Sequence, residues 1–314
     1  MVQTGGQEDF IFTDESSYGD GGNFASVKYR FGRNIKLTNP NFNQRYRYLR
    51  GGQLKPQKRV VGEEDYRFNL EWVVDSWRWL KYVTNISTET GSDPYTHTLT
   101  IPDADFNGSS FAFQRIFDDS TAYLFKGVKI LDFTLRFERG DDETGFLRVN
   151  ASCIAQDITK EDSGDIETLA ESTRDVFHFY TAKLTTANNE LVEINNGSYN
   201  FNWNVNPEDS RYANSTLSTK IGEPIYVELT ETLDLNVNNL DDDLMDEFLN
   251  RTELSGTNKL EFIYDNNNKV IFDFEHMYNE GNLPPTQFGE VTKTDIIYVP
   301  ILNNITVTDD IANY

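Results

Sequence analysis

The sequence predicts a mainly β protein of 314 residues built as two tandem β domains, each with a short flanking α-helix. Three observations carry this: apolar residues recurring at every second position, polar clusters between those runs, and a weak internal repeat. Strands bury alternate side chains, so a period of two marks a half-buried strand.

Taken in chain order, Tyr95–Ile101, Asp132–Arg139, Phe146–Ile154, Ile225–Leu235 and Lys269–Glu275 all alternate and are rich in Val, Ile, Thr, Tyr and Phe. Asn39-Pro40-Asn41, Gly140-Asp141-Asp142, Asn195-Asn196-Gly197 and Asp265–Asn268 separate such runs and read as turns. Antiparallel hairpins follow. Two segments depart from alternation. Trp72–Val83 places Val73, Trp77, Leu80 and Val83 on one helical face, and Leu240–Leu249 does so with Leu240, Leu244 and Phe248. Aspartates early in the second suit a helix N-terminus. Lys160–Asp175 is polar and reads as a linker, in part helical. The expected domains are residues 1–158, a linker 159–174, and residues 175–314.

The repeat is expected at a nearly constant spacing. Val61-Gly62-Glu63 matches Ile221-Gly222-Glu223, Leu99 and Ile101 match Leu260 and Phe262, Phe113–Phe117 matches Phe274–Tyr278, and Gly127 matches Gly289. Upstream, Leu37–Phe42 resembles Ile194–Tyr199. Shared strand-and-turn grammar is the competing explanation of so few identities.

Composition excludes several classes. Lys+Arg number 28 against 51 Asp+Glu, giving a formal charge of -23. Aromatic residues reach 13%, too many for a disordered acidic chain. One cysteine, Cys153, excludes an intrachain disulfide and reads as a small buried hydrophobe. His97, His178 and His276 are far apart and make no metal-binding pair. No apolar run is long enough for a membrane helix, and the N-terminus lacks a signal peptide's pattern, so a soluble protein is expected. Carboxylate pairs such as Asp118-Asp119, Asp141–Glu143 and Asp241–Asp243 are abundant by chance at this composition; no nucleophile or phosphate-binding motif accompanies them. No catalysis, cofactor or metal is expected. Solvated acidic turns are favoured over Ca²⁺ sites, and helix packing of Trp72, Trp77 and Trp79 over a sugar-stacking platform. Several Asn-x-Ser/Thr sequons leave glycosylation open. High acidity with little lysine also suits a salt-loving host.

Charge is unevenly placed. From Gly21 to Gly62 the chain carries Lys28, Arg30, Arg33, Lys36, Arg45, Arg47, Arg50, Lys55, Lys58 and Arg59 and no acid; all 51 acids lie elsewhere. The part between two strand-like runs, Asn39–Arg59, reads as a long loop, and its Tyr46, Tyr48 and Leu49 argue against simple disorder. Three readings compete for it: a solvated loop, a nucleic-acid contact through interleaved Arg and Tyr, and docking onto an acidic surface of another copy. The third is favoured. A basic arm on an acidic body is self-complementary and heterologous, the type of contact that builds rings or filaments.

Glu15–Gly19, Gly52–Gly62, Asp93–Phe117 and Tyr123–Ile154, in their order and spacing, resemble the tail tube proteins of long-tailed viruses of bacteria and archaea. The likeness is closer over residues 10–158 than over 175–314. It implies β-sandwich or partial-barrel domains, rings stacked into a hollow tube in the virion tail, and an acidic lumen through which viral DNA passes during ejection. It implies assembly in the host cytoplasm, with the tape-measure protein and DNA in the lumen unbound, and no membrane. The inter-ring contact would come from Arg45, Arg47, Tyr48, Arg50, Lys55, Lys58 and Arg59. Tandem domains favour trimeric, pseudo-hexameric rings over true hexamers. The second half departs from this pattern: the counterpart of the arm, Asn195–Thr219, carries only Arg211. A related terminator or hub ring stays open, as does the alternative of a carbohydrate-binding or adhesin module.

Overall fold

The computed structural model describes residues 8–49, 58–101, 106, 108–118, 120–139, 145–186, 191–192, 194–205, 222–238, 254–279, 293–312 and 314, with the side chains of 43–65 outside that description. The chain forms an antiparallel β structure. Its strands are β1 Asp9–Asp14, β2 Arg33–Leu49, β3 Lys58–Val73, β4 Asn85–Gly91, β5 Tyr95–Thr100, β6 Phe111–Asp118, β7 Thr121–Glu138, β8 Arg148–Ala155 and β9 Asp157–Glu161, then β10 Ala182–Thr185, β11 Leu191–Val192, β12 Ile194–Asn204, β13 Glu228–Asn238, β14 Leu254–Ile263, β15 Lys269–Asn279 and β16 Lys293–Asp309. Every alternating run identified in the sequence overlaps one of these strands.

The 18-residue β7 belongs to two layers. Its first part pairs with β6 and β9, its second with β8 and β12. The change falls near Gly127, whose φ is +59°. A Cβ there would lie 2.8 Å from Gln156 and 3.1 Å from the Tyr18 ring, so both the turn and the packing require glycine. The strand thus folds the sheet over itself. Phe68 of β3 meets Phe113 of β6 at 5.8 Å and Phe125 at 5.3 Å, although β3 and β6 do not pair. Phe12, Phe31 and Phe111 continue that core; Phe12 comes from β1, Phe111 from β6 and Phe31 from the bend that precedes β2.

Two stretches of chain follow one path of pairing. In the first half the neighbours run β1–β6–β7–β8–β3–β2. In the second they run β10–β14–β15–β16–β13–β12. The strands correspond in chain order as well. This path aligns β6 with β14 and β7 with β15, whereas the sequence matches set Leu99 of β5 against Leu260 of β14 and Phe113 of β6 against Phe274 of β15. They slip by one strand because the β4–β5 hairpin stands between β3 and β6 in the first half, with no counterpart among the described residues of the second. Successive hairpins share the same alternation, so sequence spacing does not separate them. Gly289 lies outside the described residues.

The structure corrects three local readings. Trp72–Val83 is no amphipathic helix: β3 runs through Val73, and a single 3₁₀ turn covers Arg78–Tyr82. Trp72, Val73, Val74, Trp77, Trp79, Leu80, Tyr82 and Val83 are all buried, so the helical-face pattern was a subset of a segment buried on every side. The second expected helix, Leu240–Leu249, lies outside the described residues. Asn39-Pro40-Asn41 and Asn195-Asn196-Gly197 are not turns; each marks a register shift inside a strand, between Thr38 and Asn41 in β2 and between Ile194 and Asn196 in β12. Asn39 takes a φ of +49°, and residues that tolerate left-handed backbone serve bulges as readily as turns. Asp265–Asn268 does form the β14–β15 turn.

The linker segment contains no helix among its described residues. Lys160 lies in β9, and the chain beyond straps the first half. Glu167 pairs with Lys28 at 3.0 Å and its amide donates to Gln114, while Arg30 donates to the carbonyls of Leu169 and Ala170.

Candidate assembly surfaces

The first surface is the joint between the halves. Asp132–Glu138 of β7 pairs antiparallel with Asn196–Asn202 of β12, making one continuous sheet. Beneath it Phe133 stacks on Phe201 at 5.0 Å, and Trp79 meets Phe133 edge-on at 4.9 Å. Trp77 packs against Phe177, Phe262 and Phe272 and carries the core from one half into the other. A second crossing comes from the β4–β5 hairpin, where Tyr95–Thr100 pairs with Asn304–Asp309 of β16. Trp203 donates to the Val83 carbonyl at 3.1 Å. With Trp72, Trp77 and Trp79 at most 2% exposed, no aromatic platform stands at the surface there.

At the other side of the sheet, β2 ends the path and pairs with β3 alone among the described residues. In the shared path β2 corresponds to β12, whose far edge is filled by β7.

The second surface is the outward face of β2, β3, β8, β7, β12, β13 and β16. Alternation sends the aromatic residues inward and leaves Asn, Thr, Ser and charged groups outward. These bond sideways from strand to strand. Thr38 donates to Glu71 (3.1 Å), Asn69 to Asn150 (3.1 Å) and Ser152 to Asp132 (2.7 Å). Across the joint Thr134 donates to Asn200 (2.8 Å), which donates to Asp234 (2.9 Å), and Asn236 donates to Asp295 (2.7 Å). Cross-strand pairs of this kind specify the register.

Charge divides this face. First-half strands carry Lys36, Arg67, Arg136 and Arg148 beside Glu71, Asp132 and Glu138; β12 and β13 contain no Lys or Arg, and second-half strands add Glu228, Asp234 and Asp295, with Lys293 at the start of β16. A cleft of about 1030 Å³ opens where the first-half strands end, lined by Arg33, Lys36, Glu71, Arg136 and Arg148 among others.

Beneath the first half lies a bonded core of charge. The Asp14 carboxylate accepts from the Tyr29 and Tyr82 hydroxyls, Arg78 at 3.2 Å and Lys81 at 2.7 Å. Burial opposes its charge, but the Lys81 ammonium, Tyr82 and Arg78 outweigh it and hold the pKa down at about 2. Glu15, in the motif Glu15–Gly19, accepts from the amides of Gly19, Gly21 and Gly127 and from the Ser110 hydroxyl. Its pKa is raised, burial outweighing those bonds. Lys129 nearby reaches the Gly108 carbonyl and, at 2.9 Å, Glu223 from the second half.

The predicted contact residues fall on a hairpin, not on a loop. Arg45, Arg47 and Tyr48 lie in β2 and Lys58 and Arg59 in β3, with Arg47 opposite Val60, Tyr48 opposite Arg59 and Leu49 opposite Lys58. Arg50 and Lys55 lie outside the described residues. Sequence reasoning did not single out the outward row of Asn69, Asn150, Asn200 and Asn236. Its signal was present in Ile194–Asn204, where Asn or Ser occupies every second position. Among the described residues no group of three or more His, Cys, Asp or Glu is placed to hold a metal ion.

Compared with known families, residues 10–299 match the family model described as phage tail tube protein. No curated protein matches the chain.

Proposed function

The chain belongs to the phage tail tube protein family, and from that premise we propose that three copies close into a pseudo-hexameric ring and that rings stack into a hollow conduit for viral DNA. Membership places the protein in the virion tail as a structural subunit that assembles with itself into a tube. The finer reading rests on one observation, the strand path that both halves repeat. Two units of like path in one chain suit descent from a duplicated domain. The β7–β12 joint is then a template for the contact between copies. By that template β2 of one copy, the counterpart of β12, adds as a strand to the next copy; β15, the counterpart of β7, is paired along both edges by β14 and β16, so the acceptor edge lies elsewhere in that copy. Strand addition of this kind is directional and heterologous, the contact type that closes a ring when the rotation between copies divides a full turn.

In that ring the hydrogen-bonded polar face lines the lumen. Its carboxylates outnumber its cations, and its amides and hydroxyls bond to one another. Such a wall gives phosphates little to grip, and DNA and the tape-measure protein pass without specific binding. The β2–β3 hairpin supplies the contact to the adjacent ring through Arg45, Arg47, Tyr48, Arg50, Lys55, Lys58 and Arg59.

Cryo-electron microscopy of assembled protein tests this. Rings of three chains with six similar sheet units are expected; six whole chains per ring overturn the trimer. Replacing the six arm cations by Gln should leave the fold, followed by circular dichroism, and abolish tubes. Tubes of unchanged length would remove the arm from the contact.

A further inference from the structure

We infer that the acceptor for the basic hairpin end is a single acidic row on the second-half sector of the neighbouring ring, formed by Glu138 with Asn196, Asn236 and Asp295. This rests on the proposed stacking and assigns its register. The row is continuous in the pairing. Glu138 lies opposite Asn196, Asn196 opposite Asn236, and Asn236 opposite Asp295, so four adjacent strands present one line. Glu138 and Asp295 are exposed, and the Asn236 amide donates to Asp295 at 2.7 Å.

The row sits at the correct end of the molecule. β2 and β3 pair from Arg33 opposite Val73 to Leu49 opposite Lys58. At about 3.3 Å per residue such a hairpin spans roughly 50 Å. The pairing then runs Val73 to Arg148 and Arg148 to Arg136, and Glu138 lies two residues beyond Arg136. The acidic row is therefore at the sheet end opposite the cationic hairpin end, and head-to-tail stacking brings the two together.

Charge selects the sector. At that same sheet end the first-half cleft carries Arg30, Arg33, Lys36, Arg136 and Arg148 against Glu8, Asp9, Glu71 and Glu171, a cationic balance that disfavours another set of cations. The second half carries Asp234 and Asp295 against Lys293, with Glu138 and Arg139 at the border, an acidic balance. A hairpin end carrying Arg45, Arg47, Lys58 and Arg59 is thus directed to the second-half sector, which fixes the rotation of one ring on the next.

The test is a charge swap read by electron microscopy. Glu138→Lys with Asp295→Lys is expected to abolish tubes while single rings and the circular dichroism spectrum persist. Adding Arg45→Glu, Arg47→Glu and Arg50→Glu is expected to restore tubes. Tubes that persist in the first variant overturn the acceptor row. Should the first variant fail to fold, disulfide trapping decides: Asp295→Cys with Arg47→Cys should cross-link between rings and Arg148→Cys with Arg47→Cys should not, and equal cross-linking overturns the assignment. Wild-type protein that forms rings but no tubes overturns the stacking itself, a result distinct from tubes that ignore the swap.

Discussion

The two halves follow one strand path, yet Asp14 in the first and Glu231 in the second show two opposite fates of an enclosed carboxylate. In the first half Asp14 lies among Lys81, Arg78, Tyr29 and Tyr82 and stays ionised, its pKa held at about 2. In the second half Glu231 of β13 has only hydrogen-bond donors, the Tyr199 hydroxyl and the Leu302 amide at 3.1 Å. Burial dominates there and lifts its pKa to about 7. Asp14 stays charged because cations share its cavity, whereas at Glu231, as at Glu15 in the first half, the hydrogen bonds do not outweigh burial.

Where the halves meet, the contrast breaks most severely. Trp77 is fully buried and packs against rings of both halves. Trp77→Ala is expected to cost about 4 kcal/mol through a cavity that strand-bound neighbours cannot close. Calorimetry should show the loss, and separate melting of two transitions would mean that the halves are coupled by Trp77 above all.

Within the first half, Asp14→Asn leaves the Lys81 ammonium, 7% exposed, without its counter-charge. Since the Asp14 side chain is itself 36% exposed, some water can replace it, and about 3 kcal/mol is expected, the lower end for a broken buried pair. Wild-type stability from this group is present above pH 3.8 and is lost as pH falls toward 2. Denaturation at pH 7 measures the first effect; an unchanged midpoint would show that solvent, not Asp14, holds the two cations.

Glu231 sharpens the comparison because its sign is reversed. Below pH 4.5 both folded and unfolded chains hold the proton. As pH rises from 4.5 to about 7 the unfolded chain releases it first, so stability falls. The full loss is on the order of 3 kcal/mol. Glu231→Gln should thus be no more stable than wild type at pH 5 and more stable at pH 8. Urea melts at the two pH values check this, and parallel curves would show that Glu231 is charged in the fold throughout.

How much of this was legible in the sequence depends on what each signal requires. Alternation located the strands of Asp132–Arg139, Phe146–Ile154 and Lys269–Glu275 because burial on one face leaves a period of two. The hairpin from Arg33 to Val73 was hidden by Asn39-Pro40-Asn41, since bulges and turns draw on the same residues. The helix expected at Trp72–Val83 failed because a segment buried on all sides satisfies any periodicity. The charged arm was visible as composition, but its acceptor was not: Glu138, Asn236 and Asp295 are far apart in the chain and meet only through pairing. The same holds for Asp14 and Lys81.

The smallest expected effect lies at the second crossing between the halves. There His97 of β5, fully buried, donates from Nε2 to the Ile311 carbonyl at 2.8 Å, stacks on Tyr314 at 3.8 Å, and faces Asp309 and Glu89. Tyr314 donates in turn to Asp309. Burial works against the imidazolium, but the bonds to Asp309 and Ile311 and the nearby acids outweigh it, so the pKa is raised. Its contribution is therefore full below pH 6.5 and fades as pH rises through the higher folded-state value. Tyr314→Ala removes the stacked ring and should cost about 1 kcal/mol. Asp309→Asn should flatten the pH dependence between pH 6 and 8. Hydrogen exchange of the β5 amides reads both, because the His97 cluster pins β5 to β16. Protection factors of these amides that do not change with pH in wild type would mean that the ladder alone holds the crossing, and that the imidazole stays neutral against its two acids.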